Sequence, residues 1–442
     1  MIKLRRGQVF HLRCSGVFDL FARSDRHPRS SMRRRAYMKP SAIKLFALGA
    51  ALISTAALAT DVKVVIPYYS AATEPFFKKM EAGYEKANPG VDIKLEIVNW
   101  DNLYDKLTTD IAGGTAPDIS IIGTRWLTDF VKNDIVEPLD GYMSASVKNG
   151  FIDAFLEPGK LQGKIYGLPV AASARAMYYN KDVLAKAGVK NPPKSWTELQ
   201  SACKKIVAAK IKDTYCFGLQ GKEVETDAYW YYALWSYGGN IVVNGKSGVN
   251  SAAGIKAANL YKSLIDNKYT QPGVTGYSRE NVQDLFKQGR LGFVITAPFL
   301  IGQITKEAPK LNYGITAIPK GTKSATYGVT DSIALFKTSK VKKEAFDFMA
   351  YVLDAKQHIE FTKNEGFLPI AKGEASDPYF ANNAQLKIFT GMLPVAKFAP
   401  NIADWEKVAD ATSRALQSIY LGQKDVKTAL NAAASEANQV IK

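Results

Sequence analysis

A chain of 442 residues, 47% hydrophobic and 22% charged, is too long for one compact core and has a folded globular composition. That composition excludes both a disordered chain and a polytopic membrane protein. The formal net charge of +17 would suit a nucleic-acid or anionic-membrane partner only if it lay on a folded surface, and its distribution argues otherwise.

Residues 1–37 carry ten bases against two acids and show no sustained helical or strand period. Met38, Lys39 and Lys44 then precede the uncharged run Leu45–Thr60, in which Ala57-Leu58-Ala59 supplies a small-x-small cleavage site. The pattern reads as a secretory signal peptide over 38–59, cut after Ala59, with an apolar run too short for a comfortable membrane span. Ahead of such a signal, 1–37 reads as a mis-called upstream extension with translation starting at Met38; an Arg-rich transit peptide is the rival reading. Beyond Ala59 the balance falls to +7, and 41 of the 46 remaining bases are lysines scattered on polar helix faces. No nucleic-acid partner is expected from such a surface.

The exported part alternates short β-rich runs with amphipathic helices. Val62–Ile66 reads as a strand. Phe77, Met80, Tyr84 and Ala87 recur at helical spacing between Thr73-Glu74-Pro75 and the stop signal Asn88-Pro89-Gly90. Ile93, Leu95 and Ile97 alternate as a second strand, Leu103, Leu107 and Ile111 mark a second helix with Asp101 as its N-cap, and Asp118–Ile122 is a third strand. This βαβαβ order predicts a parallel sheet, and ligands of such sheets bind beyond the carboxyl ends of the strands. The residues there are Tyr68-Tyr69-Ser70, Trp100-Asp101 and Thr124-Arg125-Trp126. Further on come an extended run Val170–Asn180, a helix opened by the capping box Ser195-Trp196-Thr197-Glu198, and an aromatic-dense segment Tyr229–Tyr237. Strands are expected at Leu291–Ile295 and Tyr313–Ile318, and helices at Ala345–Phe361, Trp405–Tyr420 and Val426–Ile441.

The chemistry available is that of recognition. Beyond Ala59 the chain has one histidine, His358, in a helical stretch, and no metal-ligand spacing, phosphate loop or nucleophile elbow. No catalytic residue, metal or cofactor is expected, although a two-carboxylate hydrolase leaves no spacing signature. Cys203 and Cys216, an even pair in an exported chain, are a disulfide candidate against two buried thiols. Aromatic faces pack on the C–H faces of sugars while planar polar groups bind hydroxyls. Arginine is scarce, with five beyond Ala59. Arg125 and Arg175 sit at a strand end and in the long extended run, where each serves either bidentate ligand bonding or a structural ion pair.

An ordered set of segments resembles the extracellular solute-binding proteins of ABC importers, in the maltose-binding-protein-like group. They include Gly114-Thr115-Ala116-Pro117-Asp118, Gly163-Lys164-Ile165-Tyr166-Gly167-Leu168-Pro169, Tyr179-Asn180-Lys181-Asp182, Leu234-Trp235-Ser236-Tyr237-Gly238-Gly239 and Tyr313-Gly314-Ile315-Thr316-Ala317-Ile318-Pro319-Lys320. The resemblance implies an α/β periplasmic-binding-protein fold, two lobes with a ligand cleft and crossing hinge segments near Ala171–Ser173, Thr326–Asp331 and Ile370–Lys372. The N-terminal lobe would be 60–171 plus 331–371, and the C-terminal lobe 172–330 plus 372–442. By the same resemblance, cleft contacts fall at Tyr69, Arg125, Trp126, Ser173, Arg175, Tyr229, Trp230 and Phe299; Asp331, which often aligns with glycine there, is either a sugar-hydroxyl acceptor or a plain turn residue. Phe299 stands where relatives often carry Trp, and Ser173 where the maltose binder has an acid. The implied role is a monomeric periplasmic receptor that delivers a carbohydrate to an ABC permease. The alternatives are the same role for a uronate or sugar phosphate, or a secreted carbohydrate-active enzyme.

Overall fold

The structure is a computed structural model that describes residues 59–222 and 226–441. The upstream stretch 1–37 and the signal segment as far as Leu58 lie outside the described residues. The chain opens with three parallel strands, β1 (Thr60–Tyr68), β2 (Val91–Asn99) and β3 (Ile119–Gly123), alternating with the helices Thr73–Ala87 and Trp100–Ala112. The first helix buries Phe76, Phe77, Met80 and Tyr84, the face that its spacing predicts. The second begins at Trp100 with Asn99 at its N-cap position, so Asp101, expected there, falls inside the first turn. The reason is register: β2 pairs with β1 as far as Tyr68↔Asn99, leaving no loop residue before the helix.

The extended run predicted over Val170–Asn180 is two strands in two sheets. β4 (Leu168–Ser173) belongs to the first sheet and β5 (Ala176–Asn180) to the second, with Ala174 and Arg175 between them. The second sheet is completed by β6 (Tyr215–Gly218), β7 (Leu291–Thr296) and β8 (Tyr313–Thr316), in the order β8-β5-β7-β6. The chain then returns to the first sheet as β9 (Val329–Leu335), which runs antiparallel between β3 and β4 and gives the order β2-β1-β3-β9-β4. Each sheet with its helices forms one lobe of an α/β two-lobe fold.

Two crossings are fastened to each other by Thr326. Its hydroxyl accepts from the Arg175 N–H at 3.0 Å and donates to the Arg175 carbonyl at 2.8 Å. Further along, Glu374 accepts from Ile370 N–H, and the Gln385 amide donates to Tyr313 of the second sheet.

Cys203 and Cys216 form a disulfide that ties the helix Trp196–Ala208 to β6 inside the core, so the two buried thiols are paired. Ser195 caps that helix by accepting from Glu198 N–H. Glu198 reaches back to Lys194 N–H rather than to Ser195, whose backbone is engaged in a β-bridge with Lys320. The single helix expected over Ala345–Phe361 is two, Lys342–Val352 and Ala355–Glu365, because Asp354 caps the second through Lys356 N–H. His358 is sealed inside this second helix, with Nδ1 2.8 Å from Glu374 Oε1. Among the described residues no helix is long and apolar enough to cross a membrane.

Candidate ligand-binding site

The ends of β1, β2 and β3 share one edge of the first sheet, and the residues following them meet there. Thr73 orders the loop after β1: its hydroxyl accepts from the Tyr69 and Ser70 N–H groups at 3.0 Å and donates to the buried Glu365 carboxylate at 2.7 Å. This fixes Tyr69 so that its phenol donates to Asp331 Oδ2 at 3.0 Å. Burial, then the adjacent Asp331 charge, pushes the Tyr69 phenol well above its ordinary range, so it stays a proton donor. Asp331 itself lies on β9 at a bulge opposite Gly123 and Ala171, midway between the loop after β3 and the first crossing.

Around this pair stands an aromatic wall. The Tyr69 ring meets Trp100 edge-on at 5.5 Å, Trp100 meets Trp126 at 5.9 Å, and Phe367 closes on Tyr69 at 5.2 Å. Trp100 and Trp126 remain half-buried. A carboxyl acceptor, a phenol oxygen and flat apolar faces form a set that can bind hydroxyls and C–H faces together.

The two arginines are both engaged within the protein. Arg125 Nε and Nη2 donate to the two carboxylate oxygens of Glu406, and Trp126 Nε1 donates to Glu406 Oε1 at 3.1 Å. Burial acts to lower the Arg125 pKa, but the hydrogen bonds and charge of Glu406 outweigh it and hold the guanidinium well above its usual value. Arg175 donates to Ser173 Oγ at 2.7 Å and lies 5.9 Å from the centre of the Tyr229 ring.

Tyr69, Trp100, Trp126 and Asp331 thus form one patch, and Ser173, Arg175 and Tyr229 form a second at the first crossing. Phe299 is half-buried and stands between Arg279 and Gly366, next to Phe367. Trp230 is fully buried in the core of the second lobe against Tyr231, its ring 3.5 Å from the space a Cβ on Gly254 would take. Sequence reasoning missed Glu365, Phe367 and Glu406. Glu406 lies in the first turn of a helix that was predicted, but 281 positions from Arg125, with no spacing signal to join them. Among the described residues, no three His, Cys, Asp or Glu side chains group as metal ligands.

The family model of bacterial extracellular solute-binding proteins matches residues 64–359. A relative from Brucella abortus (strain 2308), named only as a binding protein, is 53% identical over 397 residues, covering 88% of this chain and 95% of that one. The galactooligosaccharide-binding protein of Bacillus subtilis is 26% identical over 388 residues, or 83% and 86% of the two chains. A solved Thermotoga lettingae solute-binding protein bound to α-D-tagatose shares the fold, with a TM-score of 0.78 at 22% identity over 87% of this chain and all of its own.

Proposed function

The chain belongs to the bacterial extracellular solute-binding proteins, and from that premise we propose that it captures a neutral carbohydrate between its lobes and delivers it, chemically unchanged, to the permease of an ABC importer. The observation that carries this reading is the patch of Tyr69, Trp100, Trp126 and Asp331, which joins aromatic faces to a carboxyl acceptor beyond the strand ends. Ser173, Arg175 and Tyr229 extend the ligand surface along the first crossing, and Phe299 supplies an apolar rim. The Bacillus subtilis relative, a galactooligosaccharide-binding protein, supports the ligand class. A uronate or sugar phosphate is disfavoured because the Arg125 charge is answered by Glu406.

In this reading the first lobe comprises 60–171 plus 331–371 and the second 172–330 plus 372–442. Closure is a hinge motion driven by tighter binding to the closed form. The segment 38–59 is a signal peptide removed after Ala59, and the receptor works as a monomer in the periplasm. A thermal-shift screen against neutral mono- and oligosaccharides, polyols and uronates tests the reading. A neutral carbohydrate is expected to raise the melting temperature; stabilisation by uronates alone, or by no carbohydrate, would refute it.

A further inference from the structure

The contacts of Arg125 run between the lobes. Its turn, Thr124–Trp126, follows β3 of the first sheet, whereas Glu406 lies in the first turn of the helix Trp405–Tyr420, which packs in the core of the second lobe. Three other contacts join this turn and the helix Leu127–Lys132 after it to Asp404 and Glu406. Trp126 Nε1 donates to Glu406, the Asp404 N–H donates to Asp129 Oδ1, and Lys132 Nζ lies 3.6 Å from Asp404 Oδ2. Asp227, also of the second lobe, adds negative charge towards Arg125.

These contacts differ in weight. Lys132 and Asp404 are well exposed, and such pairs contribute little. Arg125 and Glu406 keep only 15% and 27% side-chain exposure in a bidentate geometry, so removing either leaves the other charge desolvated and unanswered. Phe299 packed on Gly366 also joins the lobes, through apolar contact. Of the two ion pairs between the Thr124–Lys132 region and the start of the helix Trp405–Tyr420, Arg125–Glu406 is the less exposed and the bidentate one.

We propose that Arg125 and Glu406 form an interlobe latch that holds the lobes together before ligand arrives, and so sets how much binding energy closure requires. Arg125 is then a positioning residue for the closed state. The proposal rests on the hinge motion assumed for the receptor and is independent of which ligand binds. When the lobes part, the two charges face each other across water, where screening weakens their attraction steeply.

Small-angle scattering of the ligand-free full-length exported protein tests this without any sugar present. The wild type is expected to have a smaller radius of gyration at about 0.01 M than at about 1 M NaCl, as the screening length falls from roughly 30 to 3 Å. E406Q and R125Q should each be expanded at low salt, with a closed-to-open ratio lowered about tenfold or more, equivalent to about 1.4 kcal/mol. The double variant should be no more expanded than either single one, because both remove the same interaction. Equal radii for wild type and variants, or additive expansion in the double variant, would overturn the latch. If the variants fail to fold, the wild-type salt series decides: a radius independent of salt overturns it. A protein that opens as described but binds no carbohydrate would retain the latch and lose the receptor reading, and the reverse outcome would do the opposite.

Discussion

Gly366→Ala separates local strain from closure. Gly366 ends the helix Ala355–Glu365 with φ of 74°, a left-handed conformation that costs an L-residue about 1–2 kcal/mol. An added Cβ would also stand 2.9 Å from Phe299 Cα and 3.4 Å from Phe299 Cβ, the former a backbone atom that cannot swing aside. Phe299 begins the helix after β7, on the second lobe, so this clash exists only while the lobes are together. Overpacking of this kind costs about 1–3 kcal/mol. The backbone strain is present in open and closed forms alike and should lower the urea midpoint. The clash should weaken affinity for a bound sugar by about 5- to 150-fold, as measured by calorimetric titration. Gly366→Asn provides the control, since Asn tolerates the left-handed region while keeping the Cβ. It should recover much of the stability but little of the affinity. Wild-type affinity in both variants would refute a cross-lobe clash at this position.

Replacing both Cys203 and Cys216 with Ala opens a loop of 13 residues' separation and should cost about 3 kcal/mol, read as a lower guanidinium midpoint; an unchanged midpoint would contradict a stabilising role for the bond. Burial holds the Glu365 pKa above its ordinary 4.5 against the opposing bonds from Thr73 and Ser70, so the ionised form is penalised in the folded protein. Glu365→Gln should therefore stabilise the protein at neutral pH, and the gain should fade as pH falls through the raised value towards 4.5, measured by urea unfolding across pH. Asp331→Ala removes the acceptor of the Tyr69 hydroxyl and should weaken sugar binding by about tenfold or more, whereas Asp331→Asn, which keeps an acceptor, should cost less.

The first sheet was legible because its signals are local. Alternation in Ile93, Leu95 and Ile97 and the helical face of Phe77, Met80 and Tyr84 each arise within one element, and their order dictates the parallel crossovers. The break at Ala174–Arg175 left no such trace, because β4 is buried throughout and β5 nearly so, and a run without an exposed face has no period to interrupt. The orientation of Trp230, which the fold buries, was not legible for a similar reason. Every residue of the helix Ala228–Ser236 is buried, so no polar face marked which aromatics look towards a ligand. Tyr69, Trp100 and Trp126 do lie beyond the ends of β1, β2 and β3, because that placement depends on topology that the sequence encodes locally. Glu406 escaped because pairing across lobes is a property of the assembled molecule.

The central claim is that this protein binds a carbohydrate and does not transform it. Its most direct test is calorimetric titration of the exported protein with the neutral sugar that most raises its melting temperature, followed by mass analysis of the sugar released on denaturation. The account predicts one sugar bound per chain and recovery of that sugar intact. Consumption of more than one sugar per chain, or recovery of cleaved or altered product, would contradict it.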